Sequence, residues 1–304
     1  MKLLALLLLL GVVSPAGARV VHSFKRDCPQ FFIRNPHNQN QVYTPTVLTG
    51  TQYQQICQRW SHGEPAVTKD YYATLYDTKH RIPIYSAYTF HQKGGGEREA
   101  FSWKIEPQLD EAGTADNAVM REIRPADEEA LLFYNQALNK DYGSVHECYY
   151  TRGHVFPNSF AADEGQAEST FTLTNAAPQV QESNNEWAVQ VEIRMRDEIQ
   201  RDCAPTENRP AYVVTGVVPG QVWLPIKRGT EEWEQGVNIP SYYWSAYSCR
   251  DNSNQVHSNA FIAQQIYCKP NQKTNFNLRI MPVERLNKRL TEHYGQEFKI
   301  PVLQ

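Results

Sequence analysis

A mixed α+β fold is predicted for this chain of 304 residues by three observations. Several stretches alternate aromatic or β-branched residues with polar ones, the period-two signature of strands. Others place apolar residues three or four apart, the spacing of one helix face. No repeat and no low-complexity linker separates the two kinds, so they are expected to build a single domain over residues 19–304. Length alone leaves one large domain or two small ones open.

The opening "MKLLALLLLLGVVSPAGA" sets a lysine before an apolar run and ends in small residues, the layout of a secretory leader, residues 1–18, cleaved near Ala18. The run from Leu3 to Val13 is short for a bilayer, and no later segment approaches the roughly 20 apolar residues a membrane helix needs. A soluble, secreted, extracellular protein with no membrane partner is expected. Residues 28–60 are rich in Asn, Gln and Pro and read as loop and short strands pinned by Cys28 and Cys57. "YYATLYDTKHRIPIYSAYTF", 71–90, alternates around a "DTKHR" turn and predicts a hairpin. "HQKGGGERE" reads as a solvated tip, since it lacks the Gly-Lys-Ser/Thr ending of a phosphate loop.

Residues 126–140, "ADEEALLFYNQALNK", follow an acidic first turn with Ala130, Leu131, Phe133, Tyr134 and Leu138 at helical spacing, which predicts a core helix. "TFTLTN", 170–175, predicts a strand. "NNEWAVQVEIRMRDEIQRD", 184–202, carries Trp187, Val191 and Met195 four apart and predicts an amphipathic helix opened by an asparagine. "AYVVTGVVPG", "IPSYYWSAYSC" and "NAFIAQQIYC" supply further strands. From Val283 a docking helix is expected, with Leu286 and Leu290 on its inner face.

Aromatic residues make up 12% of the chain, with 17 tyrosines, which argues against disorder. Subtracting Lys2 from the 30 basic residues leaves 29 against 33 acidic, a net −4. Overall charge therefore offers no attraction for a polyanion, and nucleic-acid contact has to come from a local cluster. Six cysteines, Cys28, Cys57, Cys148, Cys203, Cys249 and Cys268, favour three disulfides in an exported protein without choosing their pairing. A zinc site from His146, Cys148 and His154 is disfavoured, because oxidised cysteines are not ligands.

The chemistry gathers between 148 and 202. Arg152 and His154 stand on the first predicted strand; Asn175, Asn184, Glu192 and Arg196 follow. Histidine takes a proton from water, arginine holds phosphate, and an amide with a carboxylate organises a hard cation. These are the parts of metal-assisted phosphodiester hydrolysis. On a regular helix Asn184 and Glu192 lie about 12 Å and about 80° apart, so one is expected to bind an ion directly and the other through its water. Magnesium suits that arrangement better than calcium or zinc. Each residue also has an ordinary reading: a packed histidine, a helix cap at Asn184, a helical salt bridge between Glu192 and Arg196. Their joint occurrence weighs against those readings. No pair of acidic residues is placed to face one cleft, which sets a glycosidase aside.

"TRGH" at 151–154, "TNAAPQ" at 174–179, Asn184, Glu192 eight further on, and "VNIPSYYWSAYSC" downstream resemble the signature of the DNA/RNA non-specific endonuclease family of ββα-metal nucleases. "ATLYDTKHRIPIYSAYTF" and "EPQL" resemble its amino-terminal half, so that the likeness covers about residues 28–270. The resemblance implies a mixed antiparallel sheet flanked by helices, the ββα-metal (His-Me finger) nuclease fold. It implies His154 as general base, Asn184 as the one direct ligand of Mg2+, with Mn2+ a substitute, and Glu192 on the ion's water shell. Arg152 and Arg196 would contact phosphate, joined by Arg98 from the amino-terminal half. Asn175 and Gln179 would stand with the substrate-binding residues and brace the site. The partners implied are DNA and RNA.

Two positions depart from the pattern. Thr151 stands where the family has aspartate, which keeps hydrogen bonding and loses a charge. In "NNEW" the tryptophan, Trp187, is one residue nearer the ligand asparagine than usual; the eight-residue step to Glu192 selects Asn184, with Asn185 as the fallback. The reading is a secreted, metal-dependent endonuclease without sequence specificity. Its alternative is a catalytically impaired, nuclease-fold extracellular binding protein, which Thr151 and the acidic balance support.

Overall fold

The structure, a computed structural model, describes residues 20–91, 101–110, 119–129, 133–145, 148–266 and 276–304. The leader at 1–18, Arg98, His146 and Cys268 lie outside them.

Alternation builds the centre of the molecule. The strands that build the sheet and the site are β1 (Val20–Val21), β2 (Tyr53–His62), β3 (Val67–Asp77), β4 (Ile82–Phe90), β5 (Cys148–His154), β6 (Ala176–Val180), β7 (Ala211–Val218), β8 (Val222–Arg228), β9 (Glu231–Ile239), β10 (Tyr242–Arg250), β11 (Val256–Gln264) and β12 (Leu278–Met281). Eight of them form one antiparallel sheet in the order β1-β2-β3-β4-β7-β10-β11-β12. The expected hairpin is β3–β4. At its turn the Asp77 carboxylate accepts the N–H groups of Lys79 and His80 at 2.9 and 3.0 Å and holds His80 Nδ1 at 2.7 Å, an aspartate bonding its own turn.

Both faces of this sheet are covered, so neighbouring residues along a strand enter different cores. Tyr72, Tyr88 and Tyr243 join Phe156, Trp187 and Met195 on one side. Ala73, Tyr85 and Trp244 join Phe24, Leu286, Leu290 and Ile300 on the other. The helix Val283–Tyr294 docks there as expected and ends at Gly295, φ 65°. Packing thus runs past residue 270 to Ile300. Among the described residues no helix is long and apolar enough to cross a membrane.

Three expected elements differ. Within 126–140 the described helix residues are those of Pro125–Glu129, Ala130 and Leu131 lie outside the described residues, and 133–138 is irregular before a tight turn at Asn139–Asp141. Distant side chains take the backbone groups a helix would use: Asp110 accepts the N–H of Tyr134 and Asn135 at 2.8 and 2.7 Å, Arg81 donates to the Tyr134 carbonyl at 2.7 Å, and Arg228 to that of Phe133 at 2.7 Å. The strand read at 170–175 falls instead at β6, and Leu173–Asn175 is a 3-10 turn. The site helix, α1, begins at Gln181 and not at Asn184. It comprises Gln181–Trp187, a π turn Ala188–Ile193, and Arg194–Cys203.

Cys28–Cys57 and Cys203–Cys249 are disulfides, and Cys148 is also disulfide-bonded. Cys148 therefore offers no thiolate to zinc.

Candidate active site

β5 and β6 form an antiparallel pair in which Thr151 faces Gln179 and His154 faces Ala176. Gly153 is required by close approach: a Cβ there would strike the Gln179 side chain. Gln179 is 1% exposed. Asn175 closes the pair from behind. Its amide donates to the Phe156 and Thr170 carbonyls at 3.0 Å each and accepts from Phe156 N and Ser86 Oγ at 2.9 Å each. It is 0% exposed, with its amide engaged within the fold, and the Gln179 side chain is likewise buried.

Arg152 and His154 are brought together by a residue that sequence reasoning passed over. The Trp103 ring lies 4.9 Å from the Arg152 guanidinium carbon and 5.0 Å from the His154 ring, and Phe171 meets that imidazole edge-on at 4.7 Å. A cation over an indole face is held electrostatically. Arg152 Nη1 also donates to Asn139 Oδ1 at 2.7 Å. The turn carrying Asn139 is fixed in turn by Arg228 on β8, whose guanidinium grips Asp141 at 2.7 and 2.6 Å. The position of Trp103, within "FSWKIEPQL", was its one sequence signal.

Asn184 reaches the strand pair through Thr151. Its Nδ2 lies 3.3 Å from Thr151 Oγ1, which donates to the Gln179 carbonyl at 2.9 Å. Asn185, the fallback, is exposed and accepts from Gln181 at 2.9 Å. Of the two asparagines, Asn184 is the one bonded to the strand pair.

The π turn changes the relation of Asn184 to Glu192. Bonding to the fifth residue inserts about one residue into the turn, so Glu192 takes the place residue 191 would have in an unbroken helix, about 20° from the line of Asn184 in place of about 80°. Glu192 is near enough to Tyr88 that its charge, added to burial, pushes that hydroxyl up. Arg196 is 22% exposed, and its Nε and Nη2 bond Asp197 at 3.1 and 3.0 Å.

Among the described residues no three His, Cys, Asp or Glu side chains gather to cage a metal. The donors are one amide oxygen and one carboxylate, both hard. That set fits an ion that keeps most of its water, as Mg2+ does, and does not fit zinc.

An antiparallel pair bearing a histidine, followed directly by a helix bearing an asparagine, defines a ββα-metal nuclease fold of the α+β class. Residues 53–296 match the model of the DNA/RNA non-specific endonuclease family, and the chain belongs to that family. Among curated proteins it is similar to endonuclease domain-containing 1 protein of Homo sapiens, 30% identical over 223 residues, and to that of Mus musculus, 28% identical over 223 residues. These alignments cover 73% of this chain but 39% and 38% of the relatives, so the chain spans well under half of their length. Among solved structures it is similar to one of an EndoG/EndoGI complex, at 17% identity and a TM-score of 0.46, covering 77% of this chain and 83% of that one.

Proposed function

We propose that this protein is a metal-dependent endonuclease that hydrolyses phosphodiester bonds of DNA and RNA without reading sequence. The observation that carries the reading is the convergence of Arg152 and His154 on Trp103, beside a strand pair that fixes the Asn184 amide through Thr151. His154, its ring held by two aromatic neighbours, takes the proton from the attacking water. Arg152 meets a phosphate oxygen and stabilises the charge that grows in the transition state. Arg196 is bonded to Asp197, an acid 62% exposed, a weak surface pair that it exchanges for phosphate; Arg98 is a further phosphate contact. Asn184 Oδ1 would hold Mg2+, with Mn2+ as substitute, and Glu192 its water shell. A bound magnesium ion supplies charge neutralisation at the scissile phosphate. Contacts confined to phosphate carry no sequence information. The disulfides support an oxidising, extracellular setting.

His154→Ala tests this: plasmid DNA in magnesium should no longer be cut, and undiminished cutting would overturn the assignment. The neutral Thr151 in place of an acid favours a second reading, a nuclease fold retained for extracellular binding. A purified chain that neither binds magnesium nor degrades DNA or RNA would select it.

A further inference from the structure

We infer that Thr151 is a positioning residue for Asn184, fixing which end of its amide is presented to a cation. The threonine hydroxyl has a single proton to give. Thr151 Oγ1 lies 2.9 Å from the Gln179 carbonyl, and a carbonyl only accepts. The proton is therefore spent there, and the oxygen's remaining capacity is to accept. The Asn184 terminus 3.3 Å away must be its NH2 group, which directs Oδ1 away from the strand. An amide otherwise has two nearly equivalent orientations a half-turn apart, only one of which offers oxygen.

The anchor is rigid. Gln179 lies opposite Thr151 in the β5–β6 pair, is 1% exposed, and its side chain packs where Gly153 lacks a Cβ. An aspartate at 151 would also accept from Asn184, but its ionised oxygen would face the Gln179 carbonyl with no proton to share. A hydroxyl satisfies both neighbours at once. The departure from the family pattern is thus a neutral means of orienting the ligand amide.

This rests on the reading of Asn184 as the metal ligand, and direct metal binding separates the two. Mn2+ is titrated into the full chain without nucleic acid, and free Mn2+ is followed by electron paramagnetic resonance for wild type, Asn184→Ala, Thr151→Val and Thr151→Ser. Wild type should bind, Asn184→Ala should lose the site, and Thr151→Val should weaken it roughly tenfold, the scale of losing a group that orients a ligand. Thr151→Ser, which keeps the hydroxyl, should bind within about twofold of wild type, a rescue that methyl packing would not give. Wild-type affinity in Thr151→Val, or equal weakening in Thr151→Ser, overturns the role of Thr151 alone. Absent binding in wild type, or intact binding in Asn184→Ala, overturns the metal assignment and the inference with it.

Discussion

Arg228→Met should destabilise the protein more than any surface change, and the structure says by how much. Arg228 is 0% exposed and Asp141 1% at their side chains. The guanidinium donates to both Asp141 oxygens at 2.7 and 2.6 Å, to Phe133 O at 2.7 Å, to Lys227 O at 3.1 Å and to Gln136 O at 3.3 Å. Methionine fills similar volume but strands a buried carboxylate, which among the described residues keeps Leu138 N at 2.7 Å. Removing one member of a buried pair costs about 3–5 kcal/mol. For a chain of this size that is a fall in melting temperature of roughly 6–15 °C, measured by circular dichroism. Arg228→Met combined with Asp141→Leu removes the stranded charge and should recover part of the loss, though not all, because the Phe133 and Gln136 carbonyls stay without their donor. A single mutant melting within about 2 °C of wild type would refute the reasoning.

Two further outcomes follow from buried groups. Burial, and then the nearby Asp70 charge, push the Glu106 carboxyl up to about 8 from an ordinary 4.5. The folded state therefore holds a proton that the unfolded chain releases, so the contribution is complete below about 4.5 and is lost as pH rises to about 8, at roughly 1.4 kcal/mol per pH unit. Glu106→Gln should gain on wild type progressively in urea unfolding between pH 5 and pH 8, and parallel pH profiles would show the carboxyl to be unperturbed. Deleting the exposed Val189 should turn the π turn into regular helix with both flanking faces kept, so the variant should melt within a few degrees of wild type. An unfolded product would mean that the wide turn is not an insertion of one residue.

That wide turn also shows what was legible in the sequence. Trp187, Val191 and Met195 announced a helix. Their strict spacing of four continues through Ser183, Ile199 and Cys203, all buried. A regular helix drifts about 40° at each such step, so an unbroken stripe of fours already implies an over-wide turn, a signal hidden by how readily fours pass for 3.6. The hairpin around Asp77 was legible because its determinants are local. The segment 133–138 was not, since its backbone groups are captured by Asp110, Arg81 and Arg228, which lie far away in the chain. The strand bearing Arg152 and His154, and the helix bearing Asn184 and Glu192, were recognisable as a constellation and by resemblance. Trp103, some fifty residues upstream, and the Thr151–Asn184 bond depend on tertiary contact that no spacing encodes.

The place where the chain leaves the central sheet bears on the order of folding. β4 and β7 are neighbours, and Phe90 pairs with Ala211, 211 − 90 = 121 positions apart. Everything in the β5–β6–α1 unit lies on that excursion. β2, β3 and β4 are joined by short links and can pair as soon as they are made, whereas zipping β7 onto β4 closes a loop at an entropic cost of about 4 kcal/mol beyond a constant term. Contacts of such high sequence separation form late. An early meander of β2, β3 and β4 therefore precedes the return of β7, and the β5–β6–α1 unit is enclosed in the sheet only when that return is made.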